Sequence, residues 1–130
     1  MMHSIIVDTA VWIDHIRRPE AALTGLLESE MVLMHPLILG EIAMGRFKNR
    51  TSFLHELQKL NEPVVATDAE VLTFIERNRL FGLGLGYIDA HILLATRLTG
   101  DSLLWTRDKR LDAEAQAMSV AFDDQRPKTS

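Results

Sequence analysis

The chain has 130 residues, 14 basic and 18 acidic side chains, a net charge of −4 and no cysteine. With 47% hydrophobic residues it suits one domain with its own core. The missing cysteines exclude a disulfide framework and a thiolate metal centre, and the −4 balance excludes nucleic-acid binding by bulk charge alone, leaving only local basic patches or a metal for phosphate.

The start, MMHSIIVDTAV, lacks a basic leader region, and its apolar run is too short for a signal peptide. No stretch approaches the roughly 20 apolar residues of a membrane span. A cytoplasmic protein with no membrane contact is expected. Ile5 to Asp8 read as the first strand, followed by a helix through Val11, Trp12 and His15 that Pro19 breaks. EAALTGLLESE reads as a second helix and Met31 to Met34 as a short buried strand. PLILGEIAMG is helical, with Pro36 tolerated in the first turn, and TSFLHELQKL places Phe53, Leu54, Leu57 and Leu60 on one helix face. Pro63 to Ala66 read as a third strand, after which Thr67 and Glu70 form a capping box for the next helix. That helix fades at LFGLGLG, and another runs from about Ile88 to Thr99. Ser102 to Trp105 are a fourth strand, LDAEAQAM a short helix and Val120 to Phe122 the weakest, fifth strand. One domain over residues 1–122 is expected, with a flexible polar tail over 123–130.

Strands alternating with helical crossovers predict an α/β fold with a parallel sheet covered on both faces. Ligands of such sheets bind beyond the carboxyl ends of the strands. Asp8 ends the first strand and Asp108 follows the fourth, so both fall on that rim. Glu41 lies inside the apolar helix PLILGEIAMG, and Asp89 opens the largely apolar YIDAHILLATRL. Each has a bland role open to it: Asp8 as a helix cap, Asp89 beside a helix dipole, Glu41 on a solvated edge, Asp108 in a turn. Jointly they suggest a carboxylate cluster, whose repulsion raises pKa values unless a cation neutralises it. An all-oxygen set suits Mg²⁺ or Mn²⁺, and phosphodiester hydrolysis by a metal-activated water is the matching reaction.

IIVDTAVWIDHIR, PLILGEIAMG, GLGYIDAHILLATRL and LLWTRDKRL, in this order, resemble the successive motifs of the PIN domain, and most closely those of the VapC toxins of bacterial toxin–antitoxin pairs. The resemblance spans about Ile5 to Phe122. It implies a PIN-like three-layer α/β/α sandwich with a parallel sheet of 4–5 strands. It also implies an endoribonuclease dependent on Mg²⁺ or Mn²⁺ and inhibited by a cognate VapB-like antitoxin. Carried over by position, Asp8, Glu41, Asp89 and Asp108 are the catalytic and metal-holding acids, with Thr9 and Thr106 in support.

Other features carry less. GLGLG is not a nucleotide-binding loop, because it lacks the spacing and follows a helix; it reads as a flexible turn that lets the Asp89 helix approach the pocket. The five histidines show no ligand spacing. Asp112, one turn beyond Asp108, and Asp14 read as solvated residues. Arg17 and Arg18; Arg46, Lys48 and Arg50; and Arg107, Lys109 and Arg110 form local basic groups, of which Arg46, Lys48, Arg107 and Lys109 are candidate RNA contacts. VWIDHI and FLHEL offer apolar surface to an antitoxin helix or to the second copy of a homodimer, with burial in the chain's own core as the plainer use. A phosphoacceptor receiver domain fits poorly, since no lysine follows the fifth strand until Lys128, and a haloacid-dehalogenase-type phosphatase lacks its second aspartate after Asp8. The serious alternative is a non-catalytic PIN-fold module that binds RNA or a partner.

Overall fold

The computed structural model describes residues 3–123. Its frame is a parallel sheet in the order β2-β1-β3, with β1 (Ser4–Val7) central, β2 (Val32–Leu33) on one side and β3 (Ser102–Trp105) on the other. Ile5 pairs with Val32 and with Leu103, and Val7 pairs with Trp105. Alternate residues of a strand face opposite sides, yet Ile5, Ile6 and Val7 are all buried. Both faces of the sheet are therefore covered, as parallel sheets require.

Seven helices supply the cover: α1 (Thr9–Arg17), α2 (Ala21–Glu28), α3 (Pro36–Ala43), α4 (Arg50–Leu57), α5 (Asp68–Asn78), α6 (Tyr87–Leu98) and α7 (Lys109–Ala117). Their starts follow local chemistry. Pro36 occupies the first turn of α3, where its missing N–H is not needed, and the Nδ1 of His35 caps that helix by accepting from the Leu37 N–H. Thr67 and Glu70 form the reciprocal capping box of α5. The core gathers Trp12, Ile38, Ile42, Ile92, Leu93, Trp105 and Leu111 around the three strands.

Two of the five expected strands do not pair as strands. In the Pro63–Ala66 segment Pro63 has no N–H to give, and the Val64 N–H is taken by Thr99 Oγ1 at 2.8 Å. A single backbone bond, from the Met34 N–H to the Asn61 carbonyl, joins that neighbourhood to β2. Val120–Phe122 is reduced to one parallel bridge between Ala121 and Leu104. The tail expected over 123–130 lies outside the described residues after Asp123. Among the described residues no helix is long and apolar enough to cross a membrane.

Candidate functional site

The sheet delivers Asp8 and Asp108 to one rim because β1 and β3 are parallel and in register. The Asp8 N–H donates to the Trp105 carbonyl at 2.9 Å, pinning the end of one strand to the end of the other. The Asp8 carboxylate works on two sides. Oδ1 accepts from the Thr9 N–H as the cap of α1, and Oδ2 accepts from the Thr106 hydroxyl at 2.7 Å. Thr106 is fully buried, and its Oγ1 also accepts from the Asp108 N–H at 3.1 Å. Asp108 is the cap of α7, its Oδ1 taking the N–H groups of Arg110 and Leu111 at 2.9 Å each. The cap offered as a bland role for Asp8 is real, Asp108 is a cap and not a simple turn residue, and neither duty removes its residue from the rim.

The helices bring the other two acids in. Asp89 sits in the first turn of α6, and its Oδ2 accepts from the Gly86 N–H at 2.9 Å. Glu41, on the exposed edge of α3, accepts the Thr9 hydroxyl through Oε1 at 2.5 Å. The chain Glu41–Thr9–Asp8–Thr106–Asp108 is thus continuous in hydrogen bonds and covalent links.

Electrostatics ties all four acids together. Burial pushes the Asp8 carboxyl above its ordinary range; the Thr106 hydroxyl and the Thr9 amide oppose this, and the charges of Asp89 and Glu41 add to it. Burial likewise raises Asp89, opposed by the Gly86 amide and reinforced by Asp108 and Glu41. Negative charge is therefore held where it is costly, the condition a cation relieves. The donors are all oxygen, as Mg²⁺ and Mn²⁺ prefer. Among the described residues no three carboxylate or imidazole groups close round a single point.

The basic candidates divide. Arg46, Lys48 and Lys109 are exposed. Arg107 is committed elsewhere: its guanidinium bonds Glu20 through both carboxylate oxygens, at 2.6 and 2.8 Å, and Asp14 at 2.6 Å, and lies 5.6 Å from the Trp105 ring centre. Its side chain is only 16% exposed, so it braces α1 and the start of α2 against the end of β3. Arg50 donates to the Ala43 carbonyl and closes the end of α3. Of the two acids expected at the surface, Asp14 keeps a half-exposed side chain while Asp112 does not. Asp14 pairs with Arg107, and Asp112 is buried, with Oδ2 accepting from Gln116 at 2.6 Å.

The two apolar stretches meet. Ile16 of α1 and Phe53 of α4, with Pro19 and Phe47, line a groove of about 500 Å³, while Val11 and Trp12 go to the core. A second groove of about 500 Å³ runs between α5 and α6, lined by Ala69, Phe74, Leu94 and Leu98, and contains none of the four acids. The sequence reading missed a cluster on the far side of α6. There the Tyr87 hydroxyl donates to Asp68 Oδ1, the His91 Nε2 lies 2.9 Å from the same oxygen, and the His91 ring meets the buried His35 edge-on. The i, i+4 spacing of Tyr87 and His91 is its only sequence signal.

Residues 5–116 match the family model of the PIN domain. Two curated relatives, both named Ribonuclease VapC32, come from Mycobacterium tuberculosis strains CDC 1551 / Oshkosh and ATCC 25618 / H37Rv. Each is 44% identical over 118 residues, which span 91% of this chain and 95% of the relative.

Proposed function

This chain belongs to the PIN-domain family, in its VapC-type branch, and on that footing we propose that it is an endoribonuclease dependent on Mg²⁺ or Mn²⁺, the toxin of a toxin–antitoxin pair. The observation that carries the proposal is the placement of the four acids: Asp8 and Asp108 stand at the ends of β1 and β3, joined through Thr106, Glu41 reaches Asp8's neighbour Thr9 from α3, and Asp89 opens α6 close enough for its charge to act on Asp8. The four acids would hold the ion directly or through its waters, and when bound it would supply positive charge against the phosphate and acidify a water. Thr106 fixes the direction of Asp8, and Thr9 that of Glu41. Glu41, the most open of the acids joined to Thr9, takes a proton from the attacking water. The water oxygen bonds to phosphorus as the P–O bond to the leaving ribose oxygen breaks, and that oxygen takes a proton from solvent while Glu41 releases its own to solvent.

Exposed Arg46, Lys48 and Lys109 bind the flanking phosphates, and Arg107 serves as a brace. The groove between α1 and α4 is the seat of a VapB-like antitoxin segment, supported by its apolar lining. The groove between α5 and α6, with half-exposed Leu98 at its edge, is the face of a homodimer. The site of action is the cytoplasm.

The test is cleavage of a total RNA pool by protein freed of antitoxin, with Mg²⁺ or Mn²⁺ against EDTA and wild type against Asp8→Asn. Discrete cuts that need metal and vanish in the variant are expected. No cuts under any condition, with RNA or a partner still bound, would instead make the chain a non-catalytic PIN-fold module.

A further inference from the structure

Between α5 and α6 the chain crosses Arg79 to Gly86, and three of its residues adopt positive φ: Arg79 at 52°, Gly82 at 72° and Gly84 at 81°. Among the described residues, no backbone hydrogen bond ties Phe81–Leu85 to the rest of the fold. The partly buried Leu85 packs against the core, and one side chain crosses from outside, that of Arg110. Arg110 is the second residue of α7, and side chains there lean back towards the start of the helix. Its guanidinium lies on Gly84. Nη1 reaches the Gly84 carbonyl at 3.5 Å, and a Cβ at Gly84 would overlap Nη1 and come within 2.9 Å of Cζ and 3.1 Å of Cδ. Glycine is favoured here by its backbone angle, and its missing side chain leaves the room that the Arg110 guanidinium fills.

The two ends of this contact are the two acids that repel each other across the rim. Asp108 Oδ1 accepts the N–H of Arg110 itself, and two residues after Gly84 the Gly86 N–H holds Asp89 Oδ2. The circuit Asp108–Arg110–Gly84–Gly86–Asp89 closes on the pair whose charges oppose one another. We propose that Arg110 is a positioning residue, a latch that docks the Gly82–Gly86 loop on α7 and so sets the separation of Asp89 from Asp108. This rests on the nuclease reading for its catalytic consequence, though the latch itself is a property of the fold.

Four proteins test it: wild type, Arg110→Ala, Gly84→Ala and the double variant. Arg110 is exposed and Gly84 lies in a loop, so all four are expected to fold. Amide exchange over residues 81–89, measured without metal or RNA, should quicken about tenfold in Arg110→Ala. Mn²⁺ alone, titrated by calorimetry, should bind about threefold to tenfold more weakly, and kcat on RNA should fall about tenfold with KM nearly unchanged. Gly84→Ala should lose at least as much, because its methyl displaces the guanidinium and a side chain at φ 81° strains the loop besides. In the double variant the two losses should not multiply, because both remove one contact. Unchanged exchange in Arg110→Ala overturns the latch. So does a loss confined to KM, which would make Arg110 a phosphate contact, and so do losses that multiply. A wild type that cuts no RNA defeats the nuclease reading alone, since exchange and Mn²⁺ binding still decide the latch.

Discussion

The Thr106 hydroxyl donates to Asp8 Oδ2 at 2.7 Å, and it does so from full burial. It is the only side-chain donor seen on that oxygen among the described residues, and it opposes the rise that burial imposes on Asp8. Thr106→Val keeps the shape and removes the hydroxyl. The variant is expected to lose about 1–3 kcal/mol of stability through the unmatched polar groups, and cleavage should fall at least tenfold. Thr106→Ser should restore most of both. Urea unfolding and RNA cleavage read the two effects; a valine variant as active as wild type would remove Thr106 from the site.

Asp89→Asn separates charge from structure. Asparagine can still accept the Gly86 N–H while carrying no charge to be buried or to repel Asp108 and Glu41. Cleavage should drop on the order of 100-fold or more. Thermal unfolding in EDTA should show a fold as stable as wild type or more so. A clear loss of stability without metal would mark Asp89 as a structural cap.

The acid response of the fold should carry the signature of His35. Burial, helped by the neighbouring His91, lowers its pKa from 6.5 to about 4. Between those values the unfolded chain binds more protons than the folded one. The stabilising difference is full above pH 6.5 and is lost as the pH falls towards 4; it amounts to roughly 3 kcal/mol. His35→Asn keeps a residue able to cap α3 and removes the titration. Urea midpoints from pH 7 to 4 should therefore fall more steeply in wild type than in the variant. Parallel slopes would mean that His35 titrates normally.

Arg107 and Lys109 stand two residues apart and should behave as opposites. Arg107→Ala removes both bonds to Glu20, which is 18% exposed, and the bond to Asp14, and is expected to cost about 2 kcal/mol of stability. Lys109→Ala and Arg46→Ala remove exposed charges, so their melting temperatures should hold while KM for RNA rises and its salt dependence shrinks. Cleavage unchanged at moderate salt in both would discard the phosphate contacts.

Much of this fold was legible because its signals are local. The Ile5–Val7 run, Pro36 in a first turn and the Thr67–Glu70 box each act within a few residues, and each appears where the sequence puts it. Strand pairing is not local. Pro63–Ala66 has strand composition, but Thr99, distant in sequence, takes the one N–H that a ladder would have needed first. The role of Arg107 was hidden for the same reason, since Asp14 and Glu20 reach it only after the chain has folded. Asp8 and Asp108 at strand ends and Asp89 at a helix start have positions that the sequence indicates, whereas Glu41 sits well inside α3 and the hydrogen bonds to Thr9, Thr106 and Gly86 have no local signal. GLGLG reads in the sequence as a flexible turn, and the approach of the Arg110 guanidinium to Gly84 has no local signal there.

Because Asp8 and Asp108 each cap the start of a helix as well as line the rim, their removal is never a purely chemical event. Alanine at either position withdraws a cap worth about 0.5–2 kcal/mol. A cell carrying such a variant would show reduced toxicity from fewer surviving molecules as readily as from slower ones. Asparagine caps a helix nearly as well as aspartate, so Asp→Asn pairs, with protein abundance measured alongside growth, are what distinguish a harmless enzyme from a scarce one.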